Sequence, residues 1–336
     1  MTANDISFII PIFNRPEEAK ELLESFIALD GNKDFEIVIV EDGSKISSKT
    51  VVEDYKPQLN ISYYYKENSG PGDSRNYGMQ KARGNYFIIL DSDCVLPKQY
   101  LTNVLSSLNN TYVDCFGGPD AAHYSFSNIQ KAINFAMTSF ITTGGIRGKA
   151  SSINKFQPRS FNMGISKKAF EATGGFGRIH PGEDPDLSIR LWKLGFETKL
   201  IPEAYVYHKR RISWSKFYNQ VYKFGSVRPI LNTWHPYTKK ITYWFPSVFC
   251  LGVIISLVAL LFNITLPIYL VLGYFGLSFI IAIVSTKNII VAVLSLLAIV
   301  IQFFGYGYGF LKSTLKLMFS NKNPEELFPN LFFRKI

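Results

Sequence analysis

Asp91-Ser92-Asp93 sets two carboxylates at alternate positions where the apolar run Tyr86–Leu90 ends. Alternate residues at a strand end can aim both carboxylates at one point, which suits a hard divalent cation. Mg²⁺ or Mn²⁺ held by one or two carboxylates completes its shell with water and substrate phosphates, and neutralises charge growing on a departing diphosphate. Other polar motifs stand at comparable places. The run Ile6–Ile12 leads into Pro11-Ile12-Phe13-Asn14-Arg15, and Phe35–Val40 leads into Glu41-Asp42-Gly43-Ser44. Asn68-Ser69-Gly70-Pro71-Gly72-Asp73-Ser74-Arg75-Asn76-Tyr77-Gly78 opens a helical pattern, and Glu183, Asp184 and Asp186 open another, with Leu187, Leu191 and Leu194 behind them. Each has a plainer alternative: Asp42-Gly43 is a common turn, Asp73 or Ser74 can cap a helix, and acids at a helix start gain ~0.3–1 kcal/mol each from its dipole. A lone His208 is more often structural than a ligand. No phosphate loop or dinucleotide glycine fingerprint is present, which excludes a kinase or dehydrogenase of those types.

The elements that must position these residues alternate. Ile6–Ile12, Phe35–Val40, Ile61–Tyr65 and Tyr86–Leu90 read as buried strands, with Glu17–Leu29 and Ser74–Ala82 as helices between them and Lys199–Ile201 as a later short strand. Strand–helix alternation predicts an α/β fold, a mostly parallel sheet with helices on both faces. Ligands of such sheets bind beyond the carboxyl ends of the strands, where these motifs fall.

In this order, Pro-x-Phe-Asn-Arg, Glu-Asp-Gly-Ser, Asn-x-Gly…Ser-Arg-Asn-x-Gly and Asp-Ser-Asp resemble the motifs of a family-2 glycosyltransferase of the membrane-anchored bacterial type, over roughly residues 5–225. The resemblance implies a GT-A fold and binding of a nucleotide-diphospho-sugar, usually a UDP- or GDP-sugar. The matching residues are Pro11, Phe13, Asn14, Arg15, Glu41, Asp42, Asn68, Gly70, Arg75, Asp91, Ser92 and Asp93. It implies Asp184 as catalytic base, Glu183 as a supporting or acceptor-binding residue, and Gly175 and Asp186 on the acceptor side. It further implies a divalent metal, Mn²⁺ or Mg²⁺, on Asp91, Asp93 and His208; neutral imidazole beside two carboxylates favours Mn²⁺. Ser74 departs from the Ala usual at its position. Gln220-Val221-Tyr222-Lys223-Phe224 resembles the Gln-x-x-Arg-Trp of processive polysaccharide synthases, but Lys223 and Phe224 replace the Arg and Trp, which favours transfer of one sugar.

Composition bounds the rest. The chain has 336 residues, 47% hydrophobic and 18% charged, which excludes a disordered protein. The three cysteines, Cys94, Cys115 and Cys250, are odd in number and scattered, which excludes a disulfide scaffold. Net charge is segregated: −6 over residues 1–146, +12 over 147–240 and +4 over 241–336. Ile241–Thr286 holds 46 residues without a charge, and Asn288–Leu311 another 24. The first run is long enough for two crossings and turns at Asn263–Pro267, so about three transmembrane helices are expected, at 243–262, 266–285 and 289–311. The expected organisation is a catalytic domain at 1–210, an interfacial basic and aromatic segment at 211–240, a transmembrane region at 241–311 and a tail at 312–336. No secretory signal is legible at the start, since the run Ile6–Phe13 is too short.

Lys209, Arg210, Arg211, Lys216, Lys223, Arg228, Lys239 and Lys240 precede the first apolar run, which predicts an integral protein of the cell (inner) membrane with a cytoplasmic catalytic domain. The basic tail also favours the cytoplasm, whereas three crossings would put it on the other face. Basic charge beside apolar helices points to membrane lipids and a phosphate-bearing acceptor, and no nucleic-acid motif accompanies it. The expected function is inverting, metal-dependent hexosyl transfer to a lipid-linked or cell-envelope glycan acceptor. The rivals are a processive polysaccharide synthase and a non-catalytic nucleotide-binding membrane regulator.

Overall fold

The computed structural model describes residues 1–121, 126–143, 156–208 and 213–333, the side chains of Ala121 and His208 excepted. In chain order its strands are β1 (Ile6–Ile12), β2 (Glu36–Asp42), β3 (Ile61–Lys66), β4 (Tyr86–Leu90), β5 (Cys94–Val95), β6 (Cys115–Gly117), β7 (Asp120–Ala121), β8 (Asn162–Ser166), β9 (Thr198–Leu200) and β10 (Val206–His208). Its α-helices are α1 (Pro16–Ile27), α2 (Lys49–Tyr55), α3 (Pro71–Lys81), α4 (Tyr100–Asn110), α5 (Asn128–Thr138), α6 (Phe140–Thr143), α7 (Lys167–Thr173), α8 (Glu183–Lys193), α9 (Trp214–Trp234), α10 (Phe245–Leu261), α11 (Leu266–Thr286), α12 (Ile289–Met318) and α13 (Pro324–Leu327). The chain divides into two compact units. One comprises Met1–His123, Ala150–Lys209 and Phe332–Ile336, the other Tyr124–Lys149 and Arg210–Leu331.

The first unit is built on a seven-stranded sheet of order β3-β2-β1-β4-β8-β6-β9. The pairs β3–β2, β2–β1, β1–β4 and β6–β9 are parallel, and β8 runs antiparallel to both neighbours. The mostly parallel sheet expected from the sequence is therefore present. Period-2 alternation explains why its strands read as unbroken apolar runs. Phe8, Ile10 and Ile12 face a core with Leu22, Leu23 and Phe26 of α1 and Tyr100, Leu101 and Val104 of α4. Ile9, Val38, Val40, Phe87 and Ile89 face a second core with Met79 of α3, Phe170 of α7 and Leu187 and Leu191 of α8. Both faces are dry, so both parities are apolar. Strand β8 escapes the apolar pattern because it reads Asn-Met-Gly-Ile-Ser. Its Gly164 is required by packing: a Cβ there would lie 2.0 Å from the Phe116 ring. A separate three-stranded sheet, β5-β10-β7, sets His208 opposite Cys94, one residue after Asp93.

The second unit is helical. Ile241–Leu261, Leu266–Thr286 and Ile289–Met318 are each long and apolar enough to cross a membrane. The last outruns the expected 289–311, taking Lys312 and Lys316 into the helix. The segment expected to lie in the headgroup plane is mostly one helix, α9, and Phe217, Val221, Ile230 and Leu231 of that helix are buried. Phe217 and Val221 share a core with Ile133 and Phe135 of α5 and Ile299 and Phe303 of α12. Its neighbours Arg210 and Arg211 lie outside the described residues. Helix α12 approaches α9 through Gly305 and Gly309, one turn apart: a Cβ on Gly309 would sit 2.3 Å from the Tyr222 carbonyl oxygen. Small residues at such spacing let helix backbones come together where no hydrophobic effect drives them.

A side chain at 309 must push α12 from α9. Gly309→Val should cost ~1–3 kcal/mol by overpacking and lower the melting temperature of the detergent-solubilised chain. Gly252→Ala, where a methyl meets nothing within 4 Å, should leave it unchanged or slightly higher.

Candidate active site

The loops beyond the sheet's carboxyl edge are fixed by carboxylates and amides. Asn14, in the left-handed region with φ 55°, accepts on Oδ1 from the backbone N–H groups of Lys45 (2.7 Å) and Ile46 (3.0 Å), and its own N–H donates to Ser44 Oγ at 2.8 Å. That pins the loop after β1 to the loop after β2. Glu41, fully buried, accepts from the Ser48 N–H, Ser47 Oγ and Tyr63 Oη. Asp42 accepts on Oδ1 from Lys66 Nζ (2.7 Å) and the Ser69 N–H (3.0 Å), and on Oδ2 from the Gly70 N–H (2.9 Å). Asn68 Nδ2 donates to the Asp42 carbonyl at 2.9 Å. Glu41, Asp42 and Asn68 thus shape a rim, with Pro11 beside it on β1 and Phe13 half exposed above. Gly70 caps α3 with φ 94°, a conformation that favours glycine.

At the centre stands Arg75, on the first turn and a half of α3 and only 4% exposed. Its Nη2 donates to Asp91 Oδ1 at 2.9 Å, and its Nη1 lies 3.5 Å from Glu183 Oε1. The guanidinium also sits 5.4 Å from the centroid of the Phe176 ring. One cation thereby joins the Asp-Ser-Asp strand end to the Glu-Asp helix start. Burial opposes the Arg75 charge, but Asp91, Glu183 and Asp184 outweigh it and hold the guanidinium protonated. Glu183 is buried too, which alone would raise its pKa; the hydrogen bond with His180 Nδ1 at 2.9 Å, with the charges of His180 and Arg75, holds it below the usual range instead. Asp184 goes the other way. Its burial, then the charge on Glu183, push its carboxyl up to about 6, against the pull of Arg75 and Arg159. Arg75 Nε, Glu183 Oε2 and Asp184 Oδ1 are buried without a hydrogen-bond partner among the described residues. Buried polar atoms rarely go unpaired, so these three atoms stand out in the site.

Asp91 and Asp93 stand at the β4 end with Ser92 buried between them. Asp93 Oδ2 pairs with Arg15 Nη1 at 2.7 Å, an arginine whose side chain is 48% exposed. Each carboxylate pairs with an arginine, and hard oxygen donors of this kind fit Mg²⁺ or Mn²⁺. Among the described residues no three acidic, His or Cys side chains gather closely enough to hold a metal. The third expected ligand, His208, is brought by its backbone beside this strand end; its side chain lies outside the described residues. Asp186 is engaged by Arg190 at 2.8–2.9 Å, and Arg190 also donates to the carbonyls of Thr173 and Gly175 at 2.7 Å. The expected Gly175 and Asp186 are therefore parts of one clamp on the Gly174-Gly175-Phe176 turn.

Two residues have no role assigned from sequence. Asn76 donates to the Phe176 carbonyl and accepts from its N–H, both at 2.8 Å, locking α3 to that turn. A Cβ on Gly175 would lie 2.2 Å from Asn76 Oδ1. His180 holds Glu183. The spacing His-x-x-Glu was visible, but only as one more pair at a loop.

The family of glycosyl transferase family 2 matches residues 7–174, half of the chain, and the chain belongs to it. It is 35% identical over 116 residues to an uncharacterised glycosyltransferase of Rickettsia typhi, covering 34% of this chain and 36% of that one. It is 33% identical over 201 residues to the GalNAc(5)-diNAcBac-PP-undecaprenol β-1,3-glucosyltransferase of Campylobacter jejuni, covering 56% of this chain and 60% of that enzyme. The chain thus spans less than two thirds of either relative. A mannosyltransferase from Pyrobaculum calidifontis, solved with GDP-Man and Mn²⁺, shares the fold with TM-score 0.52 and 16% identity over 66% of this chain and 62% of that one. The sheet is that of the GT-A class.

Removing the Arg75 cation leaves buried Glu183 facing Asp91 and Asp184 without a cation between them, a loss of ~3–5 kcal/mol for a broken buried pair. Arg75→Met should lower the denaturation midpoint accordingly. Arg75→Lys should recover little of it, because a single ammonium cannot span two carboxylates.

Proposed function

We propose that this chain is an inverting, metal-dependent glycosyltransferase that moves one hexosyl unit from a UDP- or GDP-sugar to a lipid-linked or envelope glycan at the cytoplasmic face of a membrane. One observation carries the reading: Arg75 pairs with Asp91 of the Asp-Ser-Asp strand end and reaches Glu183, the neighbour of Asp184, whose Oδ1 is buried without a partner among the described residues. A base and a diphosphate-handling strand end thereby meet at one arginine. The donor would lie on the rim made by the loops after β1, β2 and β3. Asp91, Asp93 and His208 would hold a divalent ion, which when bound offsets charge on the departing nucleotide diphosphate. Glu183 Oε2 would receive an acceptor hydroxyl, and Asp184 would take its proton as the acceptor oxygen attacks the far side of the sugar. The donor in the Pyrobaculum structure and the polyprenyl-linked acceptor in the Campylobacter enzyme's name support the two substrate classes.

A base is active when deprotonated, so turnover should climb with pH to a plateau above about 6, the value to which burial and Glu183 lift Asp184. Asp184→Asn should keep donor binding and lose about 10²–10⁴ in turnover, read as release of nucleoside diphosphate from a panel of UDP- and GDP-sugars with Mn²⁺. Turnover within twofold of the parent would remove Asp184 from the base role.

The membrane reading takes support from the tail. Phe332 forms an antiparallel bridge with Ile179 in the catalytic unit. A tail that returns to the side the chain left would require an even number of crossings, and so one apolar helix that does not cross fully. Cysteines placed singly at Asn4 and Lys322 in a Cys250→Ser background should share the same protection from an impermeant maleimide in intact cells. Opposite protection would restore three full crossings.

A further inference from the structure

Glu183 is gripped from two sides, and only one grip is a good hydrogen bond. Arg75 approaches Oε1 at 3.5 Å, whereas His180 Nδ1 meets the same oxygen at 2.9 Å. The groups facing this carboxylate are Arg75 from α3, His180 from the preceding turn and Asp184 beside it, with Asp91 beyond Arg75; Arg159 and Ser160 act on Asp184. His180 is 40% exposed and lines a cavity of about 230 Å³ with Asp73, Asn76, Phe176 and Arg178.

What steadies this half-exposed imidazole comes from the far end of the chain. The Phe333 ring packs on it with centroids 5.7 Å apart. Phe332 bridges Ile179, and the Phe333 N–H donates to the Arg178 carbonyl at 3.0 Å. The same ring fills the space over Gly70, where a Cβ would come within 2.3 Å of it. Two tail residues are thus strapped across the His180 turn and the cap of α3, the helix that carries Arg75.

We propose that His180 is a positioning residue for Glu183, and that Phe332–Phe333 completes the acceptor side of the active site by fixing His180. The proposal rests on the reading that Glu183 and Asp184 receive the acceptor. Its physical basis is that Glu183 has one oxygen committed and one open. With Oε1 pinned by a charged or strongly polar donor, Oε2 is aimed at a single point; without the pin the carboxylate is free to turn toward Arg75, and the acceptor oxygen loses its alignment. Misplacement by about an ångström is enough to slow a bimolecular transfer severely.

The full-length chain in detergent allows the test, with water as the acceptor probe and the UDP- or GDP-sugar that the parent hydrolyses. His180→Ala should lower kcat about tenfold, the worth of one hydrogen bond to a charged group, with the KM for the donor unchanged. His180→Asn, whose amide nitrogen takes the place of Nδ1, should restore most of it, and Phe333→Ala should fall in the same direction as His180→Ala. An Ile179→Cys/Phe332→Cys pair should form a disulfide on mild oxidation, independently of any activity. Absence of that disulfide overturns the strap. Full activity in His180→Ala beside an impaired Glu183→Gln overturns the positioning role and leaves the reading of the Glu-Asp pair standing. Full activity in Glu183→Gln overturns that reading, and the proposal with it.

Discussion

A buried guanidinium among three acids is the constraint around which the catalytic unit is arranged. Arg75 cannot shed its proton, and a buried cation without partners would cost far more than the fold can spare. Asp91 and Glu183 must therefore be brought to it from segments some 90 residues apart in sequence. Helix α3 has to start at Gly70, because Asp42 fixes Gly70 and Ser69. Helix α8 has to start at Glu183, with its first-turn acids facing inward. The sheet supplies the distance between them. Charge balance, more than apolar packing, sets the register of these helix starts.

The same balance divides two adjacent acids into different chemical states. Glu183 has His180 and Arg75 and stays ionised; Asp184, one residue on, has burial and a charged neighbour and is lifted to about 6. Two carboxylates whose surroundings push them apart are how a site obtains a binder and a base from one residue type. Around them the other acids are spent on structure. Glu41 and Asp42 accept donors from the loops they join and from β3, and Asp186 accepts from Arg190 of its own helix.

In the helical unit, the constraint is a different one. Serine hydroxyls bond back to the preceding turn, as Ser226 does to the Tyr222 carbonyl and Ser256 to that of Gly252. Glycines admit neighbouring backbones. Helices α9 and α12 meet through small residues, with Tyr218 beside Gly305, Tyr218 stacked on Tyr222 and Tyr308 tilted against Tyr222.

The sequence by itself determined the elements whose pattern is local. Four apolar runs became β1 to β4 within two residues; β1, β2 and β4 are buried on both faces and need continuous hydrophobic residues, while β3 at the sheet edge is only partly buried. The apolar helices were legible from length alone, and the strand-end motifs from their order. The tertiary structure decided what depends on partners distant in sequence. Strand β8 is polar and glycine-containing, so only its neighbours make it a strand. Helix α9 has basic and aromatic residues that read as a surface segment, yet it buries Phe217 and Val221, because glycines on α12 let that helix approach. Arg75 could be placed at the site from its motif, but not its bridging of Asp91 and Glu183, since a contact across the sheet edge leaves no periodic trace. The split between Glu183 and Asp184 was invisible for the same reason: a pKa is set by what surrounds a carboxylate, and sequence lists neighbours along the chain only.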